Sequence, residues 1–101
     1  MASDAISDLV AARSAQIIET RRFFHGIPEL GFEENETGKA IADRLTAAGL
    51  AVETGIGKTG LVAVLEGAKP GPRLMIRADI DGLPVDELTG LDFASTNGRM
   101  H

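Results

Sequence analysis

Leu74-Met75-Ile76-Arg77-Ala78-Asp79-Ile80-Asp81-Gly82-Leu83-Pro84-Val85-Asp86-Glu87 is the stretch on which the reading of this chain turns. Its first half is apolar and strand-like, and it delivers two carboxylates to its carboxyl end. Open α/β sheets place their ligand sites at that end. In an extended segment residues 77, 79 and 81 point to one side, so Arg77, Asp79 and Asp81 share a face. Leu83-Pro84 then turns the chain away and leaves the carboxylates at an edge. Two readings stay open. Arg77 can pair with an aspartate and simply close the strand, or a carboxylate can orient a metal-bound imidazole from behind.

Upstream of this stretch the periodicity changes twice. Ile6, Leu9, Val10, Ile17 and Phe24 recur at helical spacing and predict an amphipathic helix from Ser3 to Phe24. Pro28 and Gly31 make a loop of residues 25–34. A second helix is expected to start near Asn35 or Thr37, with Ile41, Leu45 and Ala48 on one face and Gly49 as a left-handed C-terminal cap. Leu50–Glu53 is then a short strand candidate. Leu61–Glu66 is a stronger one, apolar on both faces as a buried strand is. Residues 67–72, with two prolines, form a turn, and Arg73–Ala78 is the third strand. The predicted class is α/β, two helices followed by three strands of a mixed sheet.

Composition narrows the function. The chain has 101 residues, enough for one small domain or part of a larger one. A formal charge of −5 argues against nucleic acid or an anionic membrane as partner. There is no cysteine, hence no disulfide or Cys-based zinc site within these residues. No secretory leader opens the chain and no apolar run approaches bilayer length, so a cytoplasmic location is expected.

Several motifs have ordinary explanations. Gly55-Ile56-Gly57-Lys58-Thr59 imitates the end of a phosphate-binding loop, but the required upstream glycine is Val52 and a strand, not a helix, follows. A glycine-rich hairpin is the better account. His25, at the end of the first helix, reads as a capping or packing residue. Glu29, Glu33, Glu34 and Glu36 have a sufficient reason as carboxylates around a helix start.

Three blocks taken together resemble the amidohydrolase branch of the M20 metallopeptidases, the hippurate hydrolases, N-acyl-amino-acid amidohydrolases and auxin-conjugate hydrolases. They are Arg21 to Glu34 with Thr37 after it, Gly60 to Gly67, and Arg77 to Val85 continued by Glu87, Thr89-Gly90 and Phe93-Ala94-Ser95. The resemblance implies that residues 1–101 are the N-terminal portion of a catalytic domain, without the family's dimerisation domain. It implies metal-dependent hydrolysis of an N-acyl amino acid by the full-length protein, a homo-oligomer, with two divalent ions (Mn, Zn, Co or Ni). In such enzymes the sequence continues past Met-His into Ala-Cys-Gly-His-Asp, and a glutamate general base follows. Asp81 matches the aspartate of the family's His-x-Asp motif that orients a ligand, and Asp79 takes the position of the His. His101 precedes the ligand Cys and is not itself an expected ligand, so no metal ligand is expected within the chain. Gly82 stands where Ala is more usual and Asp86 where Gln is frequent. The alternative is a catalytically silent product or association module, with Leu61–Leu65 and Leu74–Ile76 at an open sheet edge.

Overall fold

The structure is a computed structural model that describes residues 2–101. Three helices, α1 (Ala2–Ala12), α2 (Ser14–His25) and α3 (Asn35–Ala47), precede two strands, β1 (Ala51–Ile56) and β2 (Gly60–Val64). The α/β class stands, but the elements are counted differently from expectation. The single predicted helix is broken at Arg13, whose φ of −108° and ψ of 4° leave helical geometry. Neither Gly nor Pro marks that break, so the apolar spacing runs through it unchanged.

The α3–hairpin unit is built as its sequence suggests. Helix α3 begins at Asn35 and ends in a Schellman motif. The Gly49 N–H donates to the Thr46 carbonyl and the Leu50 N–H to the Leu45 carbonyl, with Gly49 at φ +92°. Strands β1 and β2 pair antiparallel with Val52 opposite Ala63 and Thr54 opposite Leu61. Ile41 and Leu45 of α3, with Val52, Leu61 and Ala63 of the hairpin, are among the half-buried apolar residues of this unit. Between the strands Gly57 and Lys58 have φ of 57° and 86°, the double left-handed pattern of a type I′ hairpin turn. The glycine-lysine loop is thus a hairpin turn.

Two strand expectations are corrected. Strand β2 stops at Val64 and is not buried on both faces, because α3 covers one face and leaves Val62 and Val64 open. The stretch Arg73–Ala78 forms no strand: Leu74, Met75 and Ile76 are 85%, 84% and 87% exposed. A strand exists only where a neighbour answers its N–H and C=O groups, and among the described residues none lies beside this one. Among the described residues Pro28 is buried, but no aliphatic, phenylalanine or methionine side chain is. The buried positions are Pro28, Gly38, Gly82, His25, Glu34, Thr37 and Ser95. The centre of the molecule is therefore polar.

Candidate functional site

Residues 82–101 hold no helix and no strand, only one antiparallel bridge between Leu83 and Met100. The Leu83 N–H donates to the Met100 carbonyl at 2.8 Å and the Met100 N–H returns to the Leu83 carbonyl at 3.0 Å. This segment lies on the end of α2 and the loop after it. The Gly82 N–H donates to the Glu29 carbonyl at 2.6 Å. A Cβ on Gly82 would meet the Pro28 Cβ at 3.0 Å, so glycine here permits a close approach. The Asn97 amide donates to the Pro28 carbonyl at 2.9 Å.

Glu87 is the centre of the segment, and its side chain has no exposed surface. Its carboxylate receives the Thr89 hydroxyl on Oε2, and the Ser95 N–H at 2.9 Å and His25 Nε2 at 2.6 Å on Oε1. The Thr89 hydroxyl and the Ser95 N–H, opposed by burial and joined by His25, hold this carboxyl down to about 2. An ionised carboxylate only accepts hydrogen bonds, so the His25 proton sits on Nε2. The imidazole also meets the edge of Phe93 with ring centres 5.8 Å apart, and the Arg22 guanidinium lies 4.3 Å from the centre of the Phe93 ring. His25 is thus a packing residue at the end of α2, with a partner 62 positions away.

Two members of the acidic cluster, Glu29 and Glu34, hold groups around the start of α3, and the cap comes from a distance. Oε1 of Glu29 accepts the Thr37 N–H and hydroxyl, each at 2.6 Å, and Oε2 accepts the Glu36 N–H at 3.2 Å. These are the orphan donors of the first turn of α3. Burial raises the Glu29 carboxyl, but the bonds from Thr37 and Glu36 outweigh it and leave the group below its ordinary value. The Glu34 carboxylate accepts the Thr59 hydroxyl and ties the hairpin turn to the start of α3.

The two carboxylates singled out from the sequence are not alike. Asp79 pairs with Arg77 at 2.9 Å on an exposed surface. Asp81 is exposed, and among the described residues no hydrogen bond or ion pair holds its carboxylate. Both line an open depression of about 360 Å³ with Arg77, Phe32, Glu34 and Thr59. Asp81 immediately precedes the docked Gly82, and the antiparallel bridge sends the chain at His101 back toward the Asp81 side. No three His, Cys, Asp or Glu side chains gather as a metal-holding group among the described residues. The donor set present therefore does not fit a divalent ion. What spacing alone missed is the convergence of His25, Glu87 and Ser95. The block Glu87…Ser95 was visible as a pattern, but nothing in it named the partner.

Comparisons with known proteins agree with this fold. No family model matches the chain. Bacillus subtilis YxeP, whose crystal structure is described as a dinuclear metal-binding peptidase of the M20 family, superposes with a TM-score of 0.81 at 42% identity, over 90% of this chain and 26% of that one. The homologues and structural neighbours of this chain are M20 family peptidases and amidohydrolases. A probable hydrolase of Synechocystis is 42% identical over 98 residues, 95% of this chain and 25% of its own length. The thermostable carboxypeptidase 1 of Saccharolobus solfataricus is 45% identical over 84% of this chain and 22% of its length. The N-acetyldiaminopimelate deacetylase of Lactococcus lactis is 43% identical over 84% of this chain and 23% of its length. The chain spans about a quarter of the curated relatives that it matches. No described helix is long and apolar enough to cross a membrane.

Proposed function

We propose that this chain is the N-terminal portion of a metal-dependent amidohydrolase that cleaves an N-acyl amino acid, of the hippurate type, into a carboxylic acid and a free amino acid. The observation that carries the reading is the placement of Asp81. It is an unpaired carboxylate beside a backbone anchored at Gly82, on the side toward which the Leu83–Met100 bridge turns the chain. The M20 relatives, among them a deacetylase and a carboxypeptidase, support hydrolysis of an amide. Two divalent ions (Mn, Zn, Co or Ni) would supply the water-activating chemistry of such an enzyme, on ligands beyond those of this chain. Within this chain Asp81 accepts a hydrogen bond from a ligand imidazole and fixes its ring. Asp79 has the lesser part, since Arg77 already engages it. A small-molecule substrate, a homo-oligomeric full-length protein and a cytoplasmic location go with this reading.

The test extends the chain with its natural continuation, loads it with manganese or zinc, and measures release of free amino acid from a panel of N-benzoyl and N-acetyl amino acids. Cleavage that falls by about a hundredfold in Asp81→Ala supports the reading, in line with the usual cost of removing a carboxylate behind a metal ligand. No cleavage of any substrate by the loaded parent protein sinks it and leaves the catalytically silent alternative, which the open stretch Leu74–Ile76 otherwise favours.

A further inference from the structure

We propose that His25 and Glu87 form a positioning clamp that fixes residues 82–101 on the loop after α2 and so sets the place of Asp81 and of the chain at His101. The inference deepens the hydrolase reading, which gives Asp81 its importance, but its evidence is separate.

The segment cannot be ordered by secondary structure, because it has none beyond the Leu83–Met100 bridge. Beyond the Gly82 N–H on the Glu29 carbonyl and the Asn97 amide on the Pro28 carbonyl, its order comes from side chains that converge on one carboxylate. Glu87 gathers donors from His25, Thr89 and Ser95, so a single group joins α2 to both limbs of the segment. From Ser95 the path continues through its hydroxyl to the Arg99 carbonyl, and Arg99 is followed by Met100, the partner of Leu83. From Leu83 it passes to Gly82, seated on Glu29 and Pro28. Asp81 comes next and has no side-chain partner of its own. Its location is therefore inherited from the backbone that the clamp secures.

A buried imidazole–carboxylate pair is a weak choice if net stability is all that is needed, since an apolar pair of similar volume serves as well or better. Its value lies in direction. Glu87 fixes where three donors point, and an apolar contact would let the segment slide. On this account His25 and Glu87 are positioning residues; neither reaches the depression that Asp79 and Asp81 line.

Amide hydrogen exchange of the 101-residue chain, read by NMR, tests the clamp without reference to activity. His25→Ala is expected to speed exchange at Gly82, Leu83, Ser95 and Met100 by about tenfold or more, the consequence of leaving a buried acceptor short of a donor. The β1–β2 amides should not change. His25→Gln, which keeps an N–H donor near the Nε2 position, should restore most of the protection. Thr89→Val removes an exposed hydroxyl that donates to Glu87 and accepts the Leu91 N–H at 3.4 Å, and should speed the same four amides a few fold. That variant decides the matter if His25→Ala disturbs the whole fold. Unchanged exchange at Gly82, Leu83 and Met100 in Thr89→Val and His25→Ala, or a Gln variant no better than Ala, overturns the clamp. In the extended, metal-loaded protein His25→Ala should lower kcat about tenfold with KM within twofold, and His25→Gln should recover it. A parent protein that cleaves nothing defeats the hydrolase reading, whereas the exchange results still judge the clamp.

Discussion

The α3–hairpin unit and the segment 82–101 are both built from short, glycine-containing sequence, yet they are held by opposite means. In the first, neighbouring residues answer one another: β1 pairs with β2 across a short turn, and α3 lies against both strands. In the second, the bonds that fix the segment in place come from Gly82, Glu87 and Asn97 and reach back some 50 to 70 positions to the end of α2 or the loop after it, through a carboxylate, two carbonyls and one imidazole. A local ladder spreads its hydrogen bonds over many backbone groups, and the loss of one costs little. The segment gathers its donors most densely on Glu87, beside single anchors from Gly82 and Asn97, so one proton there weakens much of its hold at once.

Acidification should produce the largest contrast between the two regions. Glu87 in the fold lies near 2, below the 4.5 of an unfolded carboxylate. Its stabilising contribution is complete above about pH 4.5 and is lost as pH falls through that window toward 2. Glu29, also lowered, acts in the same sense at the start of α3. Amide exchange followed from pH 6 to pH 2.5 should therefore show residues 82–101 opening before β1–β2. Simultaneous loss would erase the distinction between the regions.

A smaller effect in the opposite place comes from Gly38→Ala. The new Cβ would sit 2.9 Å from the Thr59 carbonyl oxygen, a backbone atom that cannot swing aside. Overpacking of this kind costs roughly 1–3 kcal/mol. Urea unfolding monitored by circular dichroism should register it, and NMR should show the hairpin displaced with the His25–Glu87 contact intact.

Thr37→Val, at a buried hydroxyl, removes one of the two donors that Thr37 gives Glu29. About 1 kcal/mol of stability should go with it, with fraying confined to the first turn of α3. The least effect is a gain. Lys58 sits at φ +86°, where a Cβ is disfavoured. Lys58→Gly should stabilise the hairpin by about 0.5 kcal/mol after the entropy that glycine adds to the unfolded chain. A loss of stability there would mean that the turn is held by something other than its backbone geometry.

How much was legible follows the same divide. The helix start at Asn35, the Gly49 cap and the hairpin were readable because each depends on residues within a few positions of one another. The break at Arg13 was not, since no helix-breaking residue marks it. Arg73–Ala78 has the composition of a strand and still forms none, because pairing requires a neighbour that composition does not supply. At the candidate site, Arg77, Asp79 and Asp81 were visible as a group, and the structure then separated them: Asp79 is engaged by Arg77 and Asp81 is left open. Glu29 was visible as one of several acids, but not as the cap of a helix six residues on.

The sequence by itself determined the α/β class, the local elements between Asn35 and Val64, and a likeness to M20 amidohydrolases carried by three ordered blocks. Only the tertiary structure decided which of its many carboxylates are hydrogen-bonded supports and that Asp81 is not among them. That choice depends on what solvates each group. Glu29, Glu34 and Glu87 receive hydrogen bonds from N–H and O–H groups brought to them by the fold, and so can leave water. Asp81 receives none among the described residues and stays at the surface, beside the backbone that Gly82 seats on Glu29 and Pro28.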